Sequence, residues 1–492
     1  MACGSFMRAA ALILVLAVGH AGRAGADQPT RVEAVLEARA AAPLGAGSGA
    51  PDGTPAPALL FSMTAPDNAP SVRAMGDANG DAIDDLVVGI DESGTDNLFC
   101  VSGASAGTAS VLWSLETADG VSGGAPTGEQ SLVAASDRDG DGVRDVLLGT
   151  GWGGRTAYEI DGADGTIRWR LDTYLESESG WVYSLAELSD VTGDGRGEVA
   201  FGVGSDNDSV YSIDGASSGT GFVLWRYPAA DAVGSVHAFG DATGDGKDDL
   251  VVAVWDSGQQ FVALDGASTD PSGTVLWSAG VPGSTAYFAS SIPDLTGDGV
   301  PEVLGGIWSS GGDAVRCLDG ATGGPVWEST DVFDPVMSLK LLGDLTGDGT
   351  PEVIVASWDN AVHLLDGADG SRVWRSAVGT ANGGDVWTVA AIDDVDGDAL
   401  PDVVAGSFDT HVYLMSGADG AIRWAYPTAN RVFSVDAIGD LDGDGLADVV
   451  AGTQDTTSST VLYALSAGVA GGVIFADGFE SGDTSAWTLV VP

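Results

Sequence analysis

Eight copies of one acidic pattern recur along the chain, each running D-x-[DNT]-x-D-[GA]-x-x-[DE]. They begin at Asp77, Asp137, Asp190, Asp241, Asp294, Asp344, Asp394 and Asp440, at spacings of 60, 53, 51, 53, 50, 50 and 46 residues. A unit of about 50 residues built from short β segments cannot bury its apolar face alone, so its neighbours must cover it. The pattern therefore predicts one repeat array, not the three domains that length alone would give. The same grammar surrounds each loop. A strand leads in (432–438), the acidic loop follows (440–448), and a dense apolar strand comes next (449–452). A third strand ends in a D-G or S-G turn (412–417), and a fourth carries tryptophan (422–424). Four strands per unit is the content of a propeller blade. Second strands such as 250–253 and 353–356 are apolar at every position, as expected for sheets sandwiched between neighbours.

Blade number follows from the fourth strand. Trp113, Trp169, Trp225, Trp277, Trp327, Trp374 and Trp424 mark seven of them, and the last unit has no such tryptophan downstream. The missing strand lies upstream, at 58–62: Phe61 precedes Asp77 by 16 residues, as Trp424 precedes Asp440. The expectation is an all-β, eight-bladed β-propeller of four-stranded blades closed by this N-terminal strand, which hides both sheet edges. Seven blades is the alternative, and Phe475 is a rival for the closing position. Cys100 and Cys317 each lie three residues before a turn glycine (Gly103, Gly320), in blades one and five. Opposite blades are beyond disulfide reach, so two buried free thiols are expected.

Outside the repeats, residues 1–26 read as an export signal. Arg8 precedes an apolar run, and Ala24-Gly25-Ala26 is a small-x-small cleavage site. Residues 27–57 read as a flexible leader, 58–467 as the propeller and 468–492 as a tail too short to fold alone. No stretch of about 20 apolar residues exists to span a bilayer. Lys+Arg 19 against Asp+Glu 71 gives a formal charge of −52, which excludes binding nucleic acid through its phosphates. With 44% hydrophobic residues the chain can still build a core, so the acid must be neutralised, and bound cations are the obvious means.

In a tight turn, carboxylates at positions one, three, five and nine point inward, and the carbonyl of position seven can join them. That is a hard-oxygen cage suited to several structural Ca²⁺ ions. The three fully acidic sets are Asp137, Asp139, Asp141 and Asp145; Asp394, Asp396, Asp398 and Asp402; and Asp440, Asp442, Asp444 and Asp448. Four loops have threonine at position three: Asp190, Thr192, Asp194 and Glu198; Asp241, Thr243, Asp245 and Asp249; Asp294, Thr296, Asp298 and Glu302; Asp344, Thr346, Asp348 and Glu352. The first loop offers Asp77, Asn79, Asp81 and Asp85. Ala82 and Ala399 replace the position-six glycine, which predicts strain there. Strands flank the loop and position twelve never carries glutamate, so it is not an EF-hand.

These loops resemble the FG-GAP/VCBS repeats of integrin-α-type propellers. The later segment, as in 365–374 (LDGADGSRVW), resembles the tryptophan-docking motif of quinoprotein (PQQ-like) propellers. Together the two resemblances cover 58 to about 467. They imply calcium held by the acids above, and the quinoprotein likeness favours eight blades over seven.

Catalytic machinery is scarce. His237, His363 and His411 fall in predicted strands, and no nucleophile elbow, zinc spacing or phosphate loop is present. The adjacent-cysteine pair typical of quinoprotein dehydrogenases is absent. The expectation is a noncatalytic recognition or adhesion scaffold, secreted, monomeric and directed at an extracellular protein or glycan. A propeller enzyme, either a quinoprotein oxidoreductase or a polysaccharide lyase, is the alternative. Six residues beyond the last loop acid stand Trp255, Trp308, Trp358 and Phe408, with Trp181, Trp387, Tyr174 and Tyr287 near them on the face opposite the loops. They suit either an arc that stacks on sugars or anchors a protein, or packing between blades.

Overall fold

The computed structural model describes residues 56–469 except 66–67, 92–95, 118–128, 152–153, 174–179, 206, 257, 281–283, 309–314, 330, 333, 379–383 and 455–459. The expected signal peptide, nearly all of the leader and tail, Tyr174 and Phe475 lie outside the described residues.

Eight four-stranded blades follow one another in sequence order around a ring, as the repeat spacing predicts, and the closing strand joins blades one and eight into one continuous sheet. Each first strand neighbours the first strands of the adjoining blades and so lines the axis. The second strands are the driest elements: Asp249–Val254, Glu352–Ser357 and Asp402–Ser407 are buried at every residue. The fourth strands alternate. In Arg372–Ala377 only Trp374 and Ser376 are buried. The hydrophobic core is divided into patches that each straddle two adjacent blades, such as the one joining Ile354 and Leu364 to Val403 and Tyr413.

Tryptophan bolts the blades in series. The indole of Trp327 donates to the carbonyl of Gly367 in the next blade's turn (2.8 Å), and Trp374 does the same to Gly417 (2.7 Å). Trp113, Trp225, Trp277 and Trp424 reach Gly162, Gly266, Gly320 and Ala467 likewise. The rings of Trp113, Trp277, Trp327 and Trp374 also cover a turn glycine so closely that a side chain there would collide: a Cβ on Gly370 would meet Trp327 at 2.4 Å. Blade two departs from this rule. Trp169 donates instead to Glu159 (2.7 Å), and Arg138, buried with Glu159, spans to the carbonyl of Gly197 in blade three.

The ring closes as the 16-residue offset implied. Pro57–Thr64 pairs antiparallel with Thr460–Val469, supplying the fourth strand of the last blade, and Phe61 lies opposite Ala464. The seven-bladed alternative is thereby set aside. Phe61 is fully buried among Val72, Val450 and Leu462. The extended turn of blade one adds a second seam, pairing Gly107 and Thr108 in parallel with Phe61 and Ser62. Cys100 and Cys317 are free, buried and equivalent in register, as expected. Burial pushes the Cys100 thiol up to about 12.

Replacing Phe61 with alanine removes the ring that fills this seam and should cost about 3–5 kcal/mol. Chemical denaturation of the full chain measures it; a loss below about 1 kcal/mol would show that the strand is not what closes the ring.

Candidate metal loops and an aromatic ribbon

The eight loops lie on one face of the disc, each joining a first strand to a second. One hydrogen-bond scheme builds them all. The first aspartate accepts the N–H groups of positions four and six, as Asp440 does from Gly443 (2.7 Å) and Gly445 (2.8 Å). The same two bonds recur in the other seven loops. Position five accepts the N–H of position seven in every loop. Position nine accepts the N–H of position two at 2.7 to 3.0 Å, again in all eight.

This scheme requires positive φ at positions four and six. Position four is glycine in every loop, with φ of 78 to 86°, a regularity the sequence contained and the pattern above left unread. At position six, Ala82 and Ala399 adopt φ of 70 and 71°, the left-handed strain expected of them.

The loops differ at positions nine and three. Where position nine is aspartate, its second oxygen clamps the N–H of the third-strand turn, as Asp85 does for Gly103, Asp249 for Gly266 and Asp448 for Ala467 (each 3.0 Å). Where it is glutamate, both Glu198 and Glu352 spend their second oxygen on the threonine N–H of their own loop. The second oxygen of Glu302 is buried with no hydrogen-bond partner. At position three, Thr192, Thr243 and Thr296 turn their hydroxyls to the first aspartate at 3.3 to 3.5 Å. Asn79 donates its amide to Asp85 (3.0 Å).

In the fully acidic loops the carboxylates converge. Oxygens of Asp137, Asp139 and Asp145 lie within 4.8 Å of one another, as do those of Asp394, Asp396 and Asp402, and of Asp440, Asp442 and Asp448. Two oxygens each about 2.4 Å from a Ca²⁺ ion stand no more than about 4.8 Å apart, so these donor sets fit such an ion. Asp139 and Asp141 also converge with Asp161, a turn aspartate that the loop pattern did not include.

Burial and hydrogen bonding split the carboxylates into two electrostatic classes. Gly140 N–H bonding holds Asp137 below the usual carboxylate range, and that of Gly195 and Gly299 does so for Asp190 and Asp294. Burial drives position nine the other way: Asp145 and Asp448 rise to about 7 and Asp249 to about 6. A deep carboxylate that is costly to ionise is what a bound cation would relieve.

On the opposite face the structure brings the aromatic residues together and reveals their logic. Rings run in unbroken contact from Trp181 and Tyr183 through Trp255, Tyr287, Trp308, Trp358 and Trp387 to Phe408 and Phe433, with centroids 4.9 to 6.3 Å apart. Trp308 ends a second strand, and Trp255, Trp358 and Phe408 each stand one residue past the end of one. Their partners Tyr183, Tyr287, Trp387 and Phe433 each lie seven residues before a loop, where the first strand skips one residue of register. A bulge re-aims its side chain, and at Tyr287 and Trp387 it sets a first-strand ring between two rings from second-strand ends. Sequence reasoning missed the bulge because the offset is visible only once the strands are paired. Exposures of 2, 8, 3 and 8% for Trp255, Trp308, Trp358 and Phe408 leave little ring face open, which fits packing between blades rather than a free stacking platform.

Among the described residues, His237, His363 and His411 are each tied to a neighbouring side chain. His237 bonds Ser291 (2.9 Å), His363 bonds Asp359 (2.9 Å) and His411 lies beside Asp409. Burial pushes His237 down to about 4.

The chain matches no protein-family model and no curated protein sequence. It is similar in structure to Sqt1 of Saccharomyces cerevisiae, at TM-score 0.57 and 13% identity over 84% of this chain and all of that one (100%). The C-terminal WD40 domain of Sif2 aligns at TM-score 0.55 and 13% identity, covering 83% of this chain and 98% of that one. The computationally designed Ika8 protein aligns at 0.54 and 15%, covering 83% and 99%. At these identities the likeness is one of fold, the β-propeller.

Two outcomes follow from this geometry. A carboxyl whose folded pKa lies above its unfolded value near 4 binds its proton more tightly when folded. In excess chelator, stability should therefore rise as pH falls through about 7 toward 5, on account of Asp145, Asp448 and Asp249. It should fall again below about 4, as the depressed Asp137, Asp190 and Asp294 gain protons. Denaturant midpoints measured across that range decide it, and a flat or purely acid-labile profile would contradict the burial argument. Separately, Trp308→Ala should cost about 3–5 kcal/mol and strip near-ultraviolet circular dichroism from the ribbon. Wild-type stability in that variant would return the ring to the role of a ligand platform.

Proposed function

We propose that this chain is an exported, calcium-stiffened, noncatalytic propeller scaffold that recognises an extracellular protein or carbohydrate. The observation that carries the reading is the convergence of three carboxylates within 4.8 Å in each of three loops, on a framework whose backbone bonds are already made. Asp440, Asp442 and Asp448 would hold one such ion, Asp394, Asp396 and Asp402 another, and Asp137, Asp139 and Asp145 a third. The threonine loops offer one charge fewer and should bind more weakly. Calcium would supply charge neutralisation and a rigid strand junction, not chemistry. The likeness of the loops to FG-GAP/VCBS repeats supports the same assignment. The export-like N-terminus supports a calcium-rich location, where such modules commonly work at roughly 0.1–1 mM.

Function would then reside in what the stiffened disc displays. The ribbon rings are nearly buried, so recognition would fall to the connections around them and to the outer edge of the disc, where Phe222, Val111, Val275 and Val373 stand exposed.

Thermal unfolding in excess chelator, with and without calcium, tests the reading. A site with a dissociation constant of about 0.1 mM adds about 1.4 kcal/mol at about 1 mM free calcium. Chelation should lower the melting temperature and calcium should restore it, after which glycan and surface-protein arrays probed in both states identify the partner class. An unchanged melting curve in chelator would overturn the calcium assignment.

A further inference from the structure

The residue just before the fourth-strand aromatic is leucine or valine in six blades (Leu60, Leu112, Leu224, Leu276, Val326, Val373). In blades two and seven it is Arg168 and Arg423. Those blades carry two of the three loops with aspartate at position three. The arginines reach that aspartate. Arg168 bonds Asp139 through its guanidinium, which also lies 3.3 Å from Asp161 and 3.7 Å from Asp145. Arg423 meets Asp396 at 2.5 Å. The third fully acidic loop, Asp440 to Asp448, belongs to the blade whose fourth strand is the N-terminal one, and the equivalent residue is the apolar Leu60.

We propose that Arg168 and Arg423 are resident counter-cations, each neutralising the extra carboxylate of its own loop and competing there with a divalent ion. The idea rests on the calcium reading above and sharpens it by ranking the sites. Asp139 and Asp396 would be ligands in the donor sets of their loops. A guanidinium on either ligand must be displaced before the ion gains that oxygen, and if it stays nearby it repels the ion. Loops two and seven are thus set by the protein's own charge. Loop eight has the same four acids and no arginine in register, so a metal ion is left to balance it. That loop also stands at the seam: Asp448 accepts the N–H of Ala467, in the strand that receives the closing N-terminal segment. Occupancy of loop eight is therefore coupled to closure of the ring, while loops two and seven keep their shape when calcium is scarce.

The test is calcium counting on the full chain, by equilibrium dialysis with elemental analysis and by competition against terbium luminescence. The proteins are wild type, Arg168→Gln, Arg423→Gln, the double variant and Asp442→Asn. Glutamine keeps the length of the side chain without its charge. Each single arginine variant should convert one weak site to one at least ten-fold tighter, and the double variant should convert two. Asp442→Asn should lose the tightest wild-type site and increase amide exchange in 57–64. Arg168→Lys and Arg423→Lys, which keep the charge, should bind as wild type does. Should Arg168→Gln fail to fold by circular dichroism, the exposed Arg423 carries the same test on its own. Wild-type affinities in the glutamine variants, with calcium bound to wild type, would overturn the counter-cation role alone. If no protein in the series binds calcium, the underlying calcium reading falls and the proposal with it.

Discussion

A ring of sheets has no natural end, and everything else in this molecule depends on how its last blade finds its first. Each blade is a twisted sheet whose two apolar faces need neighbours, and whose outer edge needs cover. The chain meets this by placing one strand, Pro57–Thr64, some 400 residues from the strand it pairs with, Thr460–Val469. That contact is the most non-local in the fold, so loop-closure entropy opposes it most. The compensation is concentrated at that point: a fully buried phenylalanine in the tryptophan position, an antiparallel ladder and a parallel seam from blade one.

Charge is the second constraint. A formal −52 would drive a compact state apart if the acids were evenly spread on bare surface. Here many are built into turns, where they replace water as acceptors for the N–H groups of a tight backbone. The arrangement satisfies hydrogen bonds and concentrates like charge, and the two effects pull in opposite directions at position nine. Arg138 shows the same economy in another form. Where blade two lacks the usual indole-to-turn bond, a buried arginine between Glu159 and Gly197 holds the blades instead.

Much of this was legible in the sequence because it is local. The loop pattern, the apolar second strands and the fourth-strand tryptophans are contiguous signals, and the 16-residue offset of Phe61 is a register argument that needs no structure. What was not legible depends on pairing. The bulges that aim Tyr183, Tyr287, Trp387 and Phe433 appear only when first and second strands are aligned. The reading of Trp255, Trp308, Trp358 and Phe408 as an open arc or as packing could not be settled without knowing what stands between them. Arg168 and Arg423 were visible beside their tryptophans, but their meaning lies in a contact with a loop 27 or 29 residues upstream.

The aromatic ribbon is not a full circle. It runs from blade three to blade eight, and seven residues before the loops of blades one and two stand Pro70, in a first strand, and Gln130, in the short 3-10 turn before one, neither of which offers an aromatic ring. The closing strand, which completes blade eight, meets blade one at the edge of that gap. The aromatic packing is therefore C-shaped, continuous over six of the eight blades and missing over one quadrant.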